Sequence, residues 1–512
     1  MRVSSSAGAR SWASYPFIRV FARPFRKMGL AACLALLGLS FFLAASGFQT
    51  DGFYDTDGWF LLTSGREVVT NGVPRTNPWS VTSGNAVVIQ QWLHDVVLYG
   101  AWKVLGFQNI WVMGAFMLTA VATSLVFAVQ AVSSDAKNPY VAIFLASIAL
   151  FTAGLYVSVR PTAWSMCAMA LTVGICAKWS RSHDGRLLAI LPLISFLHVN
   201  LQAALAPLDL FVAVLFLFPT SSTESSSGFI PWFRSRVPLL AAIAVMAAAT
   251  LLNPYGIDGA LYVFKSIGEA EYGNAISEMK PIWEQASIAW VFVSFYAALP
   301  VAAALGKRRA LEPPLSLLSA ASFVAACLHW RNIWILAIAS VLTASSVMDG
   351  KPEVRAKALP SPVLCLLVGC FLIEALANTF LLPQGAATWE TDGAKMAPVV
   401  TAIERSAGGG TPLVYAEDPI FYSYMEWRGL KVPVDLRPEI WSPSITHRSG
   451  DPWRDYIDSR RSKKALLSHL RETGIDFIVS DSSISLPLAA ELHAERIPVS
   501  STQCLYSVKG GS

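Results

Sequence analysis

The sequence predicts a polytopic α-helical membrane protein that carries a small soluble α/β domain at its C-terminal end. Of its 512 residues, 54% are hydrophobic and only 14% are charged, whereas about 25% are charged in an ordinary soluble domain. Many apolar runs approach the length of about 20 residues that a helix needs to cross the hydrocarbon core of a bilayer. Charged residues become frequent after about residue 384, where the soluble domain is expected to begin.

The apolar runs predict about eleven membrane spans. The pair of runs around His198 to Asp209 and the pair around Arg331 are interrupted by polar residues. Each of these pairs is therefore predicted either as two spans or as one kinked or re-entrant element. The expected spans are 28–48, 109–132, 139–159, 162–178, 187–199, 203–219, 237–253, 287–305, 314–330, 332–348 and 361–382.

Basic residues indicate the orientation. A basic segment, 1–27, precedes the first apolar run, and 28–48 is longer than the core of about 7–15 residues in a signal peptide, so it is predicted to be a retained span. With the N-terminus in the cytoplasm, Lys and Arg of the inner segments outnumber those of the outer loops by more than two to one, as the positive-inside rule requires. A transmembrane domain, 28–383, and an extracytoplasmic domain, 384–512, follow from an odd number of spans.

The first outer loop, 49–108, is too long to be a simple connection. Apolar residues recur at helical spacing in Trp59–Val69 and in Gln91–Val104, which predicts two amphipathic helices lying along the membrane surface. Tryptophan rings in the outer loops can stack on sugars or mark the interfacial belt of the bilayer, and the belt is the expected role for most of them. These tryptophans are Trp59, Trp79, Trp92 and Trp283.

Strands and helices alternate in the C-terminal segment, which is typical of an α/β domain. The predicted strands are Pro412–Ala416, Val432–Leu436 and Asp476–Ser480, and the predicted helices are Lys463–Glu472 and Leu486–Ala494.

Charge and cysteine content exclude two other classes. The net charge of +5 comes from basic residues in short loops between apolar runs, so it reflects membrane topology and not a nucleic-acid partner. The seven cysteines include no C-x-x-C pair, so neither a disulfide framework nor a cysteine metal site is expected.

The first candidates for chemistry are Asp55 and Asp57, just beyond the first span. Two carboxylates at this spacing can bind a divalent cation together, and one of them can act as a general base. Solvated loop acids follow the same pattern, so the spacing alone leaves both interpretations open.

Several short motifs follow one another along the chain. They are Asp55-x-Asp57-x-Trp59, Gly65, Gly72-Val73-Pro74, Asn77-Pro78-Trp79-Ser80, Gly84, Gln91-Trp92-Leu93, Leu197-His198-Val199-Asn200, Leu252-Asn253-Pro254-Tyr255-Gly256 and Val434-Asp435-Leu436-Arg437-Pro438-Glu439. Their order resembles that of bacterial membrane glycosyltransferases of the GT-C type, which use polyprenyl-phosphate sugars. Phe60 and Leu61 stand where such enzymes often carry a His. Gln90 and Gln91 stand where an acid often precedes the later Trp, with His94 and Asp95 close by.

This resemblance implies a GT-C-like fold and the inverting transfer of a hexosyl or pentosyl unit. The donor is expected to be a lipid-linked sugar in the membrane, and the acceptor a glycan or lipid at the outer face of a bacterial inner membrane. The product would serve the cell envelope or a surface polysaccharide. The resemblance also assigns the catalytic acid to Asp55 or Asp57. A divalent cation bound by these two acids is compatible with this assignment but is not required by the sequence.

Polar residues at span ends are further candidates. Arg160 and Arg331 lie in short outer turns, where a guanidinium suits a lipid phosphate, although snorkelling to the interface gives the same placement. Near the outer end of a span, a polar cluster can bind a sugar or join helices. The candidates for sugar or acceptor binding are His198, Asn200, Gln202, His94, Asp95 and Arg437.

Two other functional classes remain open. A non-enzymatic component of polysaccharide transport or assembly has a similar composition, but a transporter should carry internal repeats, and the sequence has no clear one. An O-antigen polymerase or ligase also uses lipid-linked sugars. Such proteins usually carry their large soluble loop late between spans, whereas here the large soluble segments are the first loop and the tail.

Overall fold

The fold is mostly helical, with one small sheet near the C-terminal end. The structure is a computed structural model that describes residues 57–80, 85–133, 139–157, 159–219, 229–266, 279–307, 310–347, 388–418, 421–435, 437–441, 443–446, 452–481, 485–499 and 503–508. Asp55 and the predicted spans 28–48 and 361–382 lie outside these residues.

The helices are numbered in chain order. In the N-terminal two thirds they are α1 (Asp57–Asn71), α2 (Trp92–Asn109), α3 (Trp111–Val132), α4 (Pro139–Ala153), α5 (Thr162–Ser182), α6 (Leu191–Leu201), α7 (Pro207–Leu215), α8 (Phe229–Thr250), α9 (Ile257–Ala260), α10 (Tyr262–Ser266), α11 (Ser287–Lys307), α12 (Pro313–Leu328) and α13 (Ile333–Val347). The C-terminal segment contains α14 (Thr388–Ser406), β1 (Val414–Ala416), α15 (Tyr422–Trp427), α16 (Pro443–Thr446), α17 (Pro452–Ser459), α18 (Lys463–Thr473), β2 (Phe477–Asp481), α19 (Ser485–Glu491), β3 (Glu495–Ile497) and β4 (Gln503–Ser507).

Apolar helices give the chain the character of a membrane protein. In the described part, four helices are long and apolar enough to cross a membrane, and several more are apolar but shorter. The four long ones are Val112–Val132, Ile230–Thr250, Ser287–Lys307 and Trp330–Val347. The larger number of spans expected from the sequence stays a prediction.

Both doubtful pairs of runs are helices interrupted by a break. Gln202, with φ −162° and ψ 85°, separates α6 from a 3-10 turn and α7. His329, with φ −141°, separates α12 from the turn that leads into α13. A break frees backbone groups that need new partners. The N–H of Ala203 donates to the carbonyl of Gln90 at 2.8 Å, and that of Trp330 donates to the carbonyl of Lys280 at 3.2 Å.

The two helices predicted in the outer loop are present as α1 and α2, and they pack against each other. A Cβ atom added to Gly65 of α1 would lie 2.1 Å from the carbonyl oxygen of Asp95 in α2. Only glycine therefore allows the two backbones to approach this closely. Protein covers the first turns of α1, and the placement of this helix along the membrane surface stays a prediction. The ring of Trp59 lies 5.0 Å from that of Tyr424 and 5.2 Å from that of Phe107.

A second hydrophobic cluster joins the outer loop to later parts of the chain. It contains Trp79 and Ile89 of the loop, Val199 beside the break, Tyr255 and Ile445 of α16. Most tryptophans were expected in the interfacial belt, but Trp59 and Trp79 are buried by protein, whereas Trp283 is exposed.

The C-terminal sheet has the strand order β1-β2-β4-β3, with β1 parallel to β2 and the other pairs antiparallel. The predicted strands near β1 and β2 and the helix α18 are confirmed. The predicted strand Val432–Leu436 is wrong. Val432 instead makes an isolated bridge with Ser80, and the preceding Lys431 makes one with Leu413, so this part of the chain connects the neighbourhood of β1 to the outer loop.

Gly65→Ala is expected to lower the thermal stability of the detergent-solubilised protein, since the added methyl group cannot fit without separating α1 from α2. The matched control is Gly100→Ala in α2, where nothing lies within 4 Å of an added Cβ. Alanine is favoured over glycine in a helix by about 1 kcal/mol, so the control should match or exceed the wild type in a melting experiment. Equal melting temperatures for Gly65→Ala and wild type would contradict the close packing.

Candidate functional site in the outer loop

One charged pair predicted from the sequence meets at the start of α1. A guanidinium nitrogen of Arg160 lies 3.2 Å from a carboxylate oxygen of Asp57. The side chain of Asp57 is 36% exposed and that of Arg160 is 25% exposed, so solvent and a ligand can reach both. The structure therefore brings the loop acid and the turn arginine to one accessible place.

His94 connects α2 to the turn that carries Arg160. Its Nε2 lies 2.6 Å from the carbonyl oxygen of Val159, and Trp164 donates from Nε1 to its Nδ1 at 3.1 Å. The side chain of His94 is fully buried, and burial lowers its pKa to about 4. Its ring nitrogens are thus used within the protein, and this geometry does not support the predicted direct contact with a sugar.

A hydrogen-bonded chain of four side chains surrounds the break at Gln202. His198 lies 2.8 Å from Asp209 through Nδ1 and 2.7 Å from Ser165 through Nε2, and the Ser165 hydroxyl donates to Gln202. All four side chains are buried. Polar groups at this depth are costly unless they satisfy one another, so the chain holds α5, α6 and α7 together.

Asn200 attaches the same break to the outer loop. Its Oδ1 accepts a hydrogen bond from Trp92 Nε1 at 2.9 Å, and its Nδ2 donates to the carbonyls of Phe196 and Leu252. The three polar residues predicted here for sugar binding are therefore engaged in contacts between helices, which was the alternative left open by the sequence.

Arg437 attaches the C-terminal segment to the outer loop. It is only 4% exposed, it pairs with Asp435, and it donates to Ser64 Oγ of α1 at 2.8 Å. Its guanidinium carbon lies 5.0 Å from the ring centre of Phe60 and 4.6 Å from that of Trp79, which adds cation–π attraction. Arg437 was predicted to bind sugar or acceptor, but its burial favours a role in docking.

Two more buried acids lie near this guanidinium. Asp95 is completely buried, and neither of its carboxylate oxygens has a hydrogen-bond partner in the described part of the protein. Burial raises the pKa of Asp95 well above its usual range, and Arg437 opposes that shift. Burial and then the neighbouring Asp435 raise the pKa of Glu426 well above its usual range. Asp95, which was predicted to bind the acceptor, is thus a buried acid in an interface that favours its protonated form.

The remaining candidates lie elsewhere. Arg331 lies in the turn Trp330–Asn332, beside the break before α13. Asp55, outside the described residues, has no structural position here. In the part of the chain that is described, no group of three His, Cys, Asp or Glu side chains is arranged to hold a metal ion. Asp57 forms its ion pair with the side chain of Arg160.

Sequence patterns did not reveal several important residues. Ser165 is an ordinary small residue within an apolar run, and Ser64 lies within a helix, so neither carries a signal. Glu426 does carry a sequence signal, because it is an acidic residue among the aromatic residues of a short segment.

Comparisons with known proteins were informative only at the level of structure. No protein-family model and no curated protein matches the sequence. The oligosaccharyltransferase of Archaeoglobus fulgidus, tethered with an acceptor peptide, matches with a TM-score of 0.54 at 11% identity, over 88% of this chain and 69% of that chain. The chain has a GT-C-like fold. The same enzyme in complex with an inhibitory peptide and a dolichol-phosphate gives a TM-score of 0.51 at 11% identity, over 93% of this chain and 74% of that chain. At this identity the likeness concerns the GT-C-like fold alone.

Asp95→Asn is expected to change how stability depends on pH. The folded protein favours the protonated carboxyl, while the unfolded chain ionises near pH 4. The folded state therefore binds more protons above that pH, and stability falls as pH rises. The asparagine side chain does not titrate. The melting temperature of Asp95→Asn relative to that of wild type should therefore increase as the pH is raised from about 5 to 8.

The control is Asp258→Asn, at a carboxylate that is 39% exposed, melted at the same pH values to show the effect of replacing a partly exposed acid. A difference from wild type that does not change with pH for Asp95→Asn would contradict the raised pKa of Asp95.

Proposed function

We propose that the protein is a membrane glycosyltransferase that moves a sugar from a polyprenyl-phosphate donor to an acceptor at the outer face of the membrane. The observation that carries this proposal is the accessible pair of Asp57 and Arg160 in a GT-C-like fold. A carboxylate can accept the proton of an attacking hydroxyl, and a guanidinium can bind the departing phosphate. Both groups that the reaction requires are thus present at one place.

The transfer consists of one displacement. The acceptor hydroxyl attacks the anomeric carbon of the donor sugar and forms the new glycosidic bond. The bond between that carbon and the phosphate oxygen breaks, and its electron pair leaves with the lipid phosphate. The hydroxyl proton passes to Asp55 or Asp57 as general base. Attack on the face opposite the phosphate inverts the anomeric centre, so the donor sugar has to lie between the phosphate bound by Arg160 and the carboxylate that takes the proton.

In this reaction Arg160 binds the phosphate of the donor. Negative charge grows on the phosphate as the bond breaks, and a fixed guanidinium favours that state more than the starting one. Arginine also presents a planar fork that matches two phosphate oxygens. One guanidinium nitrogen lies 3.2 Å from a carboxylate oxygen of Asp57, so a donor phosphate bound by Arg160 competes with that carboxylate for the guanidinium.

The structural neighbours support this direction. One structure of the archaeal enzyme contains a dolichol-phosphate and an inhibitory peptide, and another holds an acceptor peptide. Those ligands belong to that enzyme, but a lipid phosphate donor and an outer-face acceptor are consistent with the pair described here. The hexosyl or pentosyl donor, the place in envelope polysaccharide synthesis and the bacterial inner membrane stay part of the proposal. A divalent cation at Asp55 and Asp57 is compatible with it.

The class of reaction is tested by comparing lipid-linked sugars and surface glycans in a deletion strain and its parent. Loss of an enzyme that consumes a lipid-linked sugar should increase the amount of that sugar and remove one glycan modification, both restored by the wild-type gene. Unchanged lipid-linked sugars and glycans in the deletion strain would overturn the proposal. Accumulation of a finished polysaccharide inside the cell would instead indicate a transport component.

Substitution of the acids identifies the base. Asn in place of Asp keeps size and hydrogen bonding but cannot take the proton, and loss of a general base costs about 10²–10⁴-fold in rate. Asp55→Asn or Asp57→Asn should therefore abolish complementation while leaving the amount of protein in the membrane unchanged. Asp258→Asn is the matched control, since Asp258 also pairs with a basic residue and is 39% exposed. Normal glycan transfer in both acid variants would exclude this site.

Arg160→Ala is expected to weaken donor binding and turnover together. Arg160→Lys keeps the charge but loses the fork, so its activity should lie between that of Ala and that of wild type. The measurement is transfer from the donor identified in the deletion strain, at several donor concentrations. Equal activity of the Ala variant and wild type would mean that the phosphate binds elsewhere, with Arg331 as the next candidate.

A further inference from the structure

The turn that carries Arg160 is bonded to the outer loop through one imidazole. Because Trp164 donates to Nδ1 of His94, that nitrogen must be the acceptor and the ring proton must be on Nε2. The Nε2–H therefore donates to the carbonyl of Val159, the residue that precedes Arg160. The hydrogen bonds fix both the tautomer and the plane of the ring.

This arrangement leaves His94 no means of acting on a substrate directly. The ring is fully buried, and both nitrogens are occupied. Burial also lowers its pKa to about 4, so the ring stays neutral at physiological pH. A neutral imidazole with both nitrogens bonded has neither a free lone pair nor a transferable proton, and what it can do is hold two segments at a fixed distance.

The two segments are those that carry the proposed reacting groups. Asp57 is the first residue of α1, and α1 touches α2 where Gly65 meets the carbonyl of Asp95, next to His94 in sequence. From His94 the hydrogen bond leads to Val159, and the following residue returns to Asp57 through the ion pair. Together these described contacts connect α1, α2 and the Arg160 turn, and a substitution of His94 by a residue that cannot reach Val159 removes the hydrogen bond between α2 and that turn.

We infer that His94 is a positioning residue, whose bond to the Val159 carbonyl places the Arg160 guanidinium opposite Asp57. What this pair does chemically rests on the proposed function, whereas its geometry does not. The role differs from the sugar or acceptor contact that the sequence suggested for His94.

A crosslinking experiment tests the geometry without any assay of transfer. Asp57→Cys with Arg160→Cys gives two accessible thiols, which a short bifunctional thiol reagent joins in membranes, with the crosslinked peptide measured by mass spectrometry. His94→Gln is then added, because the glutamine amide nitrogen is as many bonds from Cα as Nε2 and can donate to Val159. His94→Asn is the matched variant, since it is too short to make that bond.

The crosslink should form in the His94 background, persist largely with His94→Gln and fall several-fold with His94→Asn. A second thiol pair, Asp258→Cys with Lys265→Cys, replaces another ion pair and should crosslink equally in all three backgrounds, which reports correct folding. Equal crosslinking of the first pair with Gln and Asn, whether high or low, would overturn the inference. It would mean that the bond to Val159 does not set the distance.

Trp164→Phe provides a second route if His94→Asn does not fold. It leaves the imidazole in place but removes the donor that fixes the tautomer, so the Val159 bond is made only part of the time. Crosslinking should then fall by less than with Asn. An unchanged yield in a folded Trp164→Phe protein would count against the inference.

Turnover gives a separate readout once the donor is known. In the chain with native Asp57 and Arg160, His94→Asn should lower the rate by up to about 10²-fold, as a misplacement near 1 Å can do, and His94→Gln should restore most of it. The shape of the pH–rate profile should be the same in all three proteins. Loss of one limb of the profile would mark His94 as an acid or base and overturn a purely positioning role. Absence of any transfer by the wild type would refute the proposed function and leave the crosslinking result intact.

Discussion

The backbone contact between α1 and α2 at Gly65 is the constraint on which the outer side of the molecule depends. With no Cβ at this position, the carbonyl of Asp95 can lie against α1, and the two helices become one rigid support. From that support Asp57 faces the Arg160 turn, Trp92 reaches the break beside Asn200, and Ser64 receives Arg437. Three regions that are distant in sequence are therefore positioned by a single helix pair.

Most of the polar groups described at this junction are buried connections, Asp95 is buried without a hydrogen-bond partner in the described part of the protein, and Asp57 and Arg160 form a partly exposed pair. Buried His198, Asn200 and Arg437 have their hydrogen-bonding atoms engaged with protein partners. A buried polar network that is well satisfied is stiff, because breaking one bond leaves costly unpaired groups. Asp57 and Arg160 are the partly exposed exception. Because the buried hydrogen-bonded residues hold their helices stiffly, Asp57 and Arg160 can keep a defined geometry in contact with water.

The spacing of apolar residues predicts the helices and strands that depend on neighbouring residues in the sequence. The bounds of α1 and the start of α2 follow closely from the spacing of apolar residues, as do β1, β2 and α18 of the C-terminal segment. The sequence could not tell whether protein or lipid covers the apolar face of α1, because Tyr424 arrives from far along the chain. For the same reason the pattern of Val432–Leu436 predicts a strand, whereas Val432 makes an isolated bridge to Ser80 of the outer loop. Chemistry-bearing residues were recognised by type, but whether each is buried or accessible depends on contacts between distant segments.

The two residues of the contact between Arg437 and Ser64 are synthesised at different times, because they lie far apart in the chain. Arg437 and Ser64 are 373 residues apart, and ribosomes add about 5–20 residues per second, so the loop waits roughly 20–75 s for its partner. During that interval Phe60 and Trp79 lack the guanidinium that later lies close to both rings. Asp435, by contrast, emerges two residues before Arg437 and can neutralise it at once. The late segment thus arrives as an internally paired unit, while the early one must remain unaggregated with its aromatic surface uncovered.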